Sequence, residues 1–193
     1  MRSRQKKLMS VLHLSGRNLI PANGALVVVF GLAPQRSVLG ASPPAEPETL
    51  AIDEVDAFLA MDGEGLVTLY AGRIDPDPGV QLVLSRIAAG ELGIELERIS
   101  LIEGRAAFMP EGGAAAVTLS IDSGAVPLRR AAARLREALL QEAAERLGAD
   151  AATLTPKDGG IAAEDGRTLV YGALVAGRHQ ALRLDPAPLI KVI

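Results

Sequence analysis

The chain has 193 residues, enough for one core of moderate size and, on length alone, one domain. It contains no cysteine, which excludes disulfides, thiolate metal sites and any iron–sulfur cluster held by this chain. A net charge of -3, with no basic stripe interleaved with aromatics, argues against a nucleic-acid face.

The charge is unevenly spread. Arg2, Arg4, Lys6, Lys7, Arg17 and Arg36 all precede the first acidic residue, Glu46. Subtracting these six positives from -3 leaves -9 for the remainder. Behind the basic start lies an apolar run, Ala25 to Ala33, flanked by Gly24 and Pro34. It is too short to span a bilayer, which takes ~20 apolar residues. A charged start, a short apolar run and the small residues Leu39–Ser42 predict an export signal, hence a periplasmic or membrane-associated protein, and otherwise a cytoplasmic one. "LSGRNLIPANGALVV" also resembles a twin-arginine signal with Gly16 in place of the first arginine. The competing reading makes "ALVVVF" a strand of the domain. Gly40–Ala51, rich in Pro and Glu, reads as a linker, so residues 1–51 are set apart from a domain at 52–177 and a tail at 178–193.

Within the domain, "EVDAFLAMD" and "LVTLYAGRI" flank the turn Asp62–Gly65 and predict a β-hairpin. Pro78-Gly79 opens a helix through Leu92, with Gly93 at its stop. Arg98–Gly104 reads as a third strand. After a glycine-rich loop, Asp122 or Ser123 is placed to cap a long helix, Pro127 to Leu147, with Gly148 at the exit. Two Asp-Gly turns then separate short strands. Three Phe, two Tyr and no Trp leave the core to small aliphatic side chains. The expected fold class is α+β: a small mixed sheet, two helices packed on one face, and a signal-like amino-terminal tail.

The segment from Val55 through Gly104 resembles the start of the molybdenum-hydroxylase large subunits (the xanthine dehydrogenase and aldehyde oxidase family), most closely the isoquinoline-oxidoreductase and nicotinate-dehydrogenase type. That type has Gly-Lys-Val-Glu, then Gly-Gln-Gly-Val, then a helix ending Glu-Glu-Leu. The counterparts are Gly72-Arg73-Ile74-Asp75, Asp77-Pro78-Gly79-Val80 and Gly90-Glu91-Leu92. The family's next block, Thr-Pro-Asp-Gln-Gly-Gly-Thr and a polar loop, corresponds to Met109–Gly124, and its strand–turn–strand to the stretch ending at Gly177. Pro78 replaces the family's Gln, and Ala114, Ala115, Ala116, Val117 and Leu119 replace its polar loop. The family's Glu base has no counterpart in this chain.

The resemblance implies an amino-terminal, molybdopterin-binding lobe of a molybdenum-dependent oxidoreductase. Such a lobe is a fragment or accessory subunit, inactive alone, that completes a larger catalytic chain with an iron–sulfur subunit and shares its molybdopterin with that partner. The alternative is a stand-alone, non-catalytic interaction domain that kept the scaffold and lost cofactor binding. The resemblance places Gly79, Gly112, Gly113 and Arg129 as candidate cofactor-binding residues, with no catalytic or metal-ligating residue in this chain. Gly112-Gly113 can line a donor-rich concavity, or simply form a loop. Arg129 and Arg130, placed in the first turn of the long helix, face an arriving anion or solvent. Asp75 and Asp77 read as turn residues rather than cation ligands. His13 and His179 are too far apart in sequence to suggest a metal pair, and no serine sits in a nucleophile elbow. Glu91 and Glu103 read as solvated carboxylates.

Overall fold

A computed structural model describes residues 24–32, 57–103 and 118–184. The main sheet has five strands, in the spatial order β10 (His179–Arg183), β1 (Ala25–Phe30), β2 (Ala57–Asp62), β3 (Val67–Ala71) and β5 (Ile99–Glu103). Strands β1, β2 and β3 run antiparallel to one another in turn. At the two edges, β5 pairs parallel with β3, and β10 parallel with β1. Parallel neighbours need a crossover. Helix α1 (Pro78–Leu92) supplies it between β3 and β5.

The β2–β3 turn is fixed by Asp62, whose Oδ1 accepts the N–H groups of Glu64 and Leu66, both at 2.9 Å. Beyond β3, the two-residue strand β4 (Arg73–Ile74) pairs parallel with β6 (Thr118–Leu119), and helix α2 (Ile121–Leu147) follows. A small antiparallel sheet comes next: β7 (Thr155–Lys157), β8 (Gly160–Ala162) and β9 (Thr168–Val170). Its first turn puts Asp158 at φ 50° and Gly159 at φ 75°, the left-handed pair that a tight primed turn demands. A short helix, α3 (Tyr171–Val175), leads into β10.

Helices α1 and α2 pack on one another and on the sheet face carrying Leu26, Val28, Leu59, Met61 and Leu69. The other face carries Ala25, Val27, Phe58 and Ala60, with the rings of Phe58 and Tyr70 stacked 4.7 Å apart. This is the mixed α+β layer expected from the sequence.

Three expectations change. The apolar run at Ala25 is strand β1, hydrogen-bonded on both sides, so the sheet includes residues assigned above to a signal. Side chains on both faces of β1 are buried, Leu26 and Val28 on one and Ala25 and Val27 on the other, which is why it reads as an unbroken apolar run. At the other end, part of the assigned tail is β10, so the folded unit extends past 52–177 on both sides. Finally, α2 starts at Ile121, six residues before Pro127. Pro127 lies inside the helix, and its missing N–H leaves the Ser123 carbonyl without its helical donor.

A buried carboxylate fastens the carboxyl-terminal strand. Glu142 of α2, only 8% exposed, pairs with Arg146 at 2.6 Å and with Arg178 just ahead of β10. Arg146 also donates to the carbonyls of Ala173 (2.7 Å) and Leu174 (3.3 Å) in α3. A buried charge requires such partners.

Candidate functional site

The carboxyl ends of β4, β5 and β6 lie at one edge, where α1 and α2 also begin. β4 and β6 end side by side, with the Asp75 N–H donating to the Leu119 carbonyl at 3.0 Å. β5 ends at Glu103, whose Oε1 accepts the Ile74 N–H at 3.3 Å. In sheets with parallel strands, the crevice outside these carboxyl ends is where ligands bind. Helix amino ends there can add N–H donors and a positive dipole end.

The amino end of α1 is fully satisfied from within. Asp77 is the N-cap, and its Oδ1 accepts from Gly79 at 2.6 Å and Val80 at 3.3 Å. The Gln81 N–H bonds the Asp77 carbonyl at 3.1 Å, and Pro78 has no N–H. Asp75 Oδ1 accepts the Asp77 N–H at 3.0 Å, and the Gln81 side-chain amide donates to the Asp75 carbonyl at 3.1 Å. Asp75 and Asp77 are therefore turn and cap residues.

The amino end of α2 is capped by Ser120, not by Asp122 or Ser123. The Ser120 hydroxyl accepts the Ser123 N–H at 3.3 Å, and Ser123 Oγ accepts the Ser120 N–H at 3.1 Å. This reciprocal pair is a capping box with serine at both positions. Ser123 Oγ also lies 2.5 Å from the Thr118 carbonyl and donates to it, tying the helix to β6. Gly124 lies against Leu119, whose Cδ1 occupies the space a Cβ would need. The amides of Ile121 and Asp122, first and second in the helix, have no acceptor within it.

The structure separates the candidate residues. Gly79 sits at this edge, but its N–H is spent on Asp77. Arg129 is exposed in the third turn of α2, not its first, because the helix starts earlier than the sequence suggested. Gly112 and Gly113 lie outside the described residues, as does His13. His179 is exposed in β10. Neither glutamate is merely solvated: Glu91 pairs with Arg136 at 2.7 Å, and Glu103 holds β4. Sequence reading missed Ser120 as a cap, although the Ser-x-x-Ser spacing was there to signal it.

The carboxyl end of α1 is anchored by a residue far along the chain. Tyr171, fully buried, donates its hydroxyl to the Leu92 carbonyl at 2.6 Å. Burial pushes its phenol up to about 12, partly opposed by the Arg136 charge. Arg136 itself links α2 to α1 through the side chain and carbonyl of Glu91.

A pterin phosphate, as the resemblance implies, needs unspent donors or cations. Among the described residues this edge offers the Ile121 and Asp122 amides at the head of α2 and one exposed cation on β4, Arg73, against four carboxylates, Asp75, Asp77, Glu103 and Asp122. The amino end of α1 does not fit an anionic group, because its donors are spent on Asp77. No group of three His, Cys, Asp or Glu among them is placed to hold a metal ion. No helix among them is long and apolar enough to cross a membrane.

Comparison with known proteins identifies the family through its model and one relative. The model of the molybdopterin cofactor-binding domain matches residues 22–187. One of the subunits of nicotinate dehydrogenase from Pseudomonas putida is 33% identical over 174 residues, covering 89% of this chain. The chain spans 14% of that relative's length. Among solved structures, quinoline 2-oxidoreductase from Pseudomonas putida 86 aligns with 59% of this chain and 15% of its own, at 21% identity and a TM-score of 0.46. A Cu,Mo-CO dehydrogenase aligns with 90% of this chain and 21% of its own, at 18% identity and a TM-score of 0.48.

Proposed function

Since this chain belongs to the molybdopterin cofactor-binding domain family of the molybdenum hydroxylases, we propose that it forms one lobe of a molybdopterin-dependent oxidoreductase of the hydroxylase or aldehyde dehydrogenase type. The lobe is inactive alone and closes against a larger chain that completes the cofactor site. In this reading electrons leave through an iron–sulfur partner. The observation that supports this reading is the family match across residues 22–187, together with 33% identity to the nicotinate dehydrogenase subunit.

Co-expression with the neighbouring reading frames tests it. The expected result is a complex containing this chain, a larger chain and bound molybdenum and pterin, active on nicotinate, a related aromatic N-heterocycle or an aldehyde with a dye acceptor. The isolated chain should reduce no dye. A chain that stays alone and metal-free in every co-expression overturns the proposal. That outcome would favour a second reading, a stand-alone domain that kept the scaffold without the cofactor. The saturated amino end of α1 is the observation that favours this second reading.

A further inference from the structure

We propose that Asp77 is a resident anion that closes the amino end of α1 to phosphate-bearing ligands. Only the choice of ligand class rests on the function proposed above. A helix begins with four N–H groups that its own ladder cannot use, and these, with the dipole, attract anions. At α1 every one is accounted for. The Asp77 N–H donates to Asp75 Oδ1, Pro78 has none, and Gly79 and Val80 donate to Asp77 Oδ1; Gln81, which donates to the Asp77 carbonyl, begins the ladder.

The single acceptor oxygen therefore fills the position that a phosphate oxygen would take, and it carries the same sign of charge. Displacing it would require Asp77 to rotate away while Asp75 remains beside it, holding the Asp77 N–H at 3.0 Å. The nearest side-chain amide, that of Gln81, is folded back onto the Asp75 carbonyl and offers no substitute. Asp77 thus determines what the amino end of α1 accepts: any anionic part of a cofactor must be held away from it, by other residues of this chain or by a partner.

The inference is testable on the full chain with inorganic phosphate as the probe, following the backbone amide resonances of Gly79 and Val80. In the unsubstituted chain these resonances should not move beyond a chloride control at matched ionic strength. In Asp77→Gly they should move saturably, because the cap is emptied while glycine still suits the N-cap position. Asp77→Asn keeps the acceptor without the charge and should stay silent. Saturable movement in the unsubstituted chain or in Asp77→Asn overturns the proposal, as does silence in Asp77→Gly with α1 intact by amide protection. The unsubstituted and Asp77→Asn chains keep the test decisive if Asp77→Gly does not fold. Failure to recover molybdenum in a complex would leave these results untouched, so the two proposals fail separately.

Discussion

Helices α1 and α2 leave the same edge of the molecule and begin in opposite ways. At α1 one carboxylate serves its own first turn, and every bond lies within a few residues of sequence. At α2 a pair of serine hydroxyls caps the helix and also reaches back to the Thr118 carbonyl of β6. The first is a local solution that any chain with Asp-Pro-Gly at that point can adopt. The second joins helix to sheet, so the start of α2 depends on the β4–β6 pairing and on Leu119 beneath it. One amino end is therefore self-sufficient and closed, whereas the other is held by tertiary packing.

The largest test of this contrast is Leu119→Ala. Leu119 is fully buried, and truncation of such a leucine costs about 3 kcal/mol. Urea unfolding should show that loss. Amide exchange should also rise first around Ser123 and Gly124, with Val80 and Gln81 unchanged. Equal loosening of both helices would break the contrast. Next comes Gly124→Ala, whose new methyl group meets the Leu119 side chain. Forcing that overlap costs about 2 kcal/mol, measured in the same way. The double variant with Leu119→Ala should recover part of the loss, because the two substitutions share one space.

The same contrast explains what could be read from the sequence. Helix α1 was legible from Pro78 to Leu92 because its start and stop are local: a proline in the first turn and Gly93 in the left-handed conformation. The β2–β3 hairpin and the Asp158-Gly159 turn were legible for the same reason. The start of α2 was not. Pro127 looks like a first residue, since proline suits that position, yet the helix runs through it from Ser120's cap. The pairing of β1 with β10 joins residues from opposite ends of the chain, and no local pattern encodes it. At the candidate site, Asp77 was legible as a turn residue. Its consumption of the Gly79 amide depends on a side-chain rotamer and shows only in three dimensions.

A third variant tests the other end of α1. Tyr171→Phe removes the hydroxyl that satisfies the Leu92 carbonyl, leaving a buried acceptor unpaired at a cost of about 1.5 kcal/mol. The tyrosine also predicts an alkaline transition. Its phenol titrates near 10.0 when unfolded and at about 12 when folded. The folded state thus retains the proton more tightly, so this contribution is complete below pH 10 and declines as pH rises from there toward 12. Melts across that range should show the decline in the parent chain and a shallower one in Tyr171→Phe. An unchanged slope would mean that the phenol already meets water at the helix end. Ser120→Ala follows at about 1 kcal/mol, the usual value of a lost N-cap, and should raise exchange at Ser123 without affecting Val80.

The smallest effect sharpens the comparison most, because it isolates charge from hydrogen bonding. Asp77→Asn retains an acceptor that caps about as well as aspartate and removes only the negative charge. That charge favours the positive end of the α1 dipole by ~0.3–1 kcal/mol at low salt, but Asp75 sits beside it with the same sign and offsets part of the gain. The net loss on substitution should therefore be about 0.4 kcal/mol at low ionic strength. It should vanish in concentrated salt, where the screening length falls to ~3 Å. Ser120→Asn at the other helix carries no change of charge, so any effect there should be insensitive to salt. If Asp77→Asn instead stabilises the chain at low salt, repulsion from Asp75 outweighs the dipole. The carboxylate would then remain at the head of α1 at a net cost, held by its two amide hydrogen bonds alone.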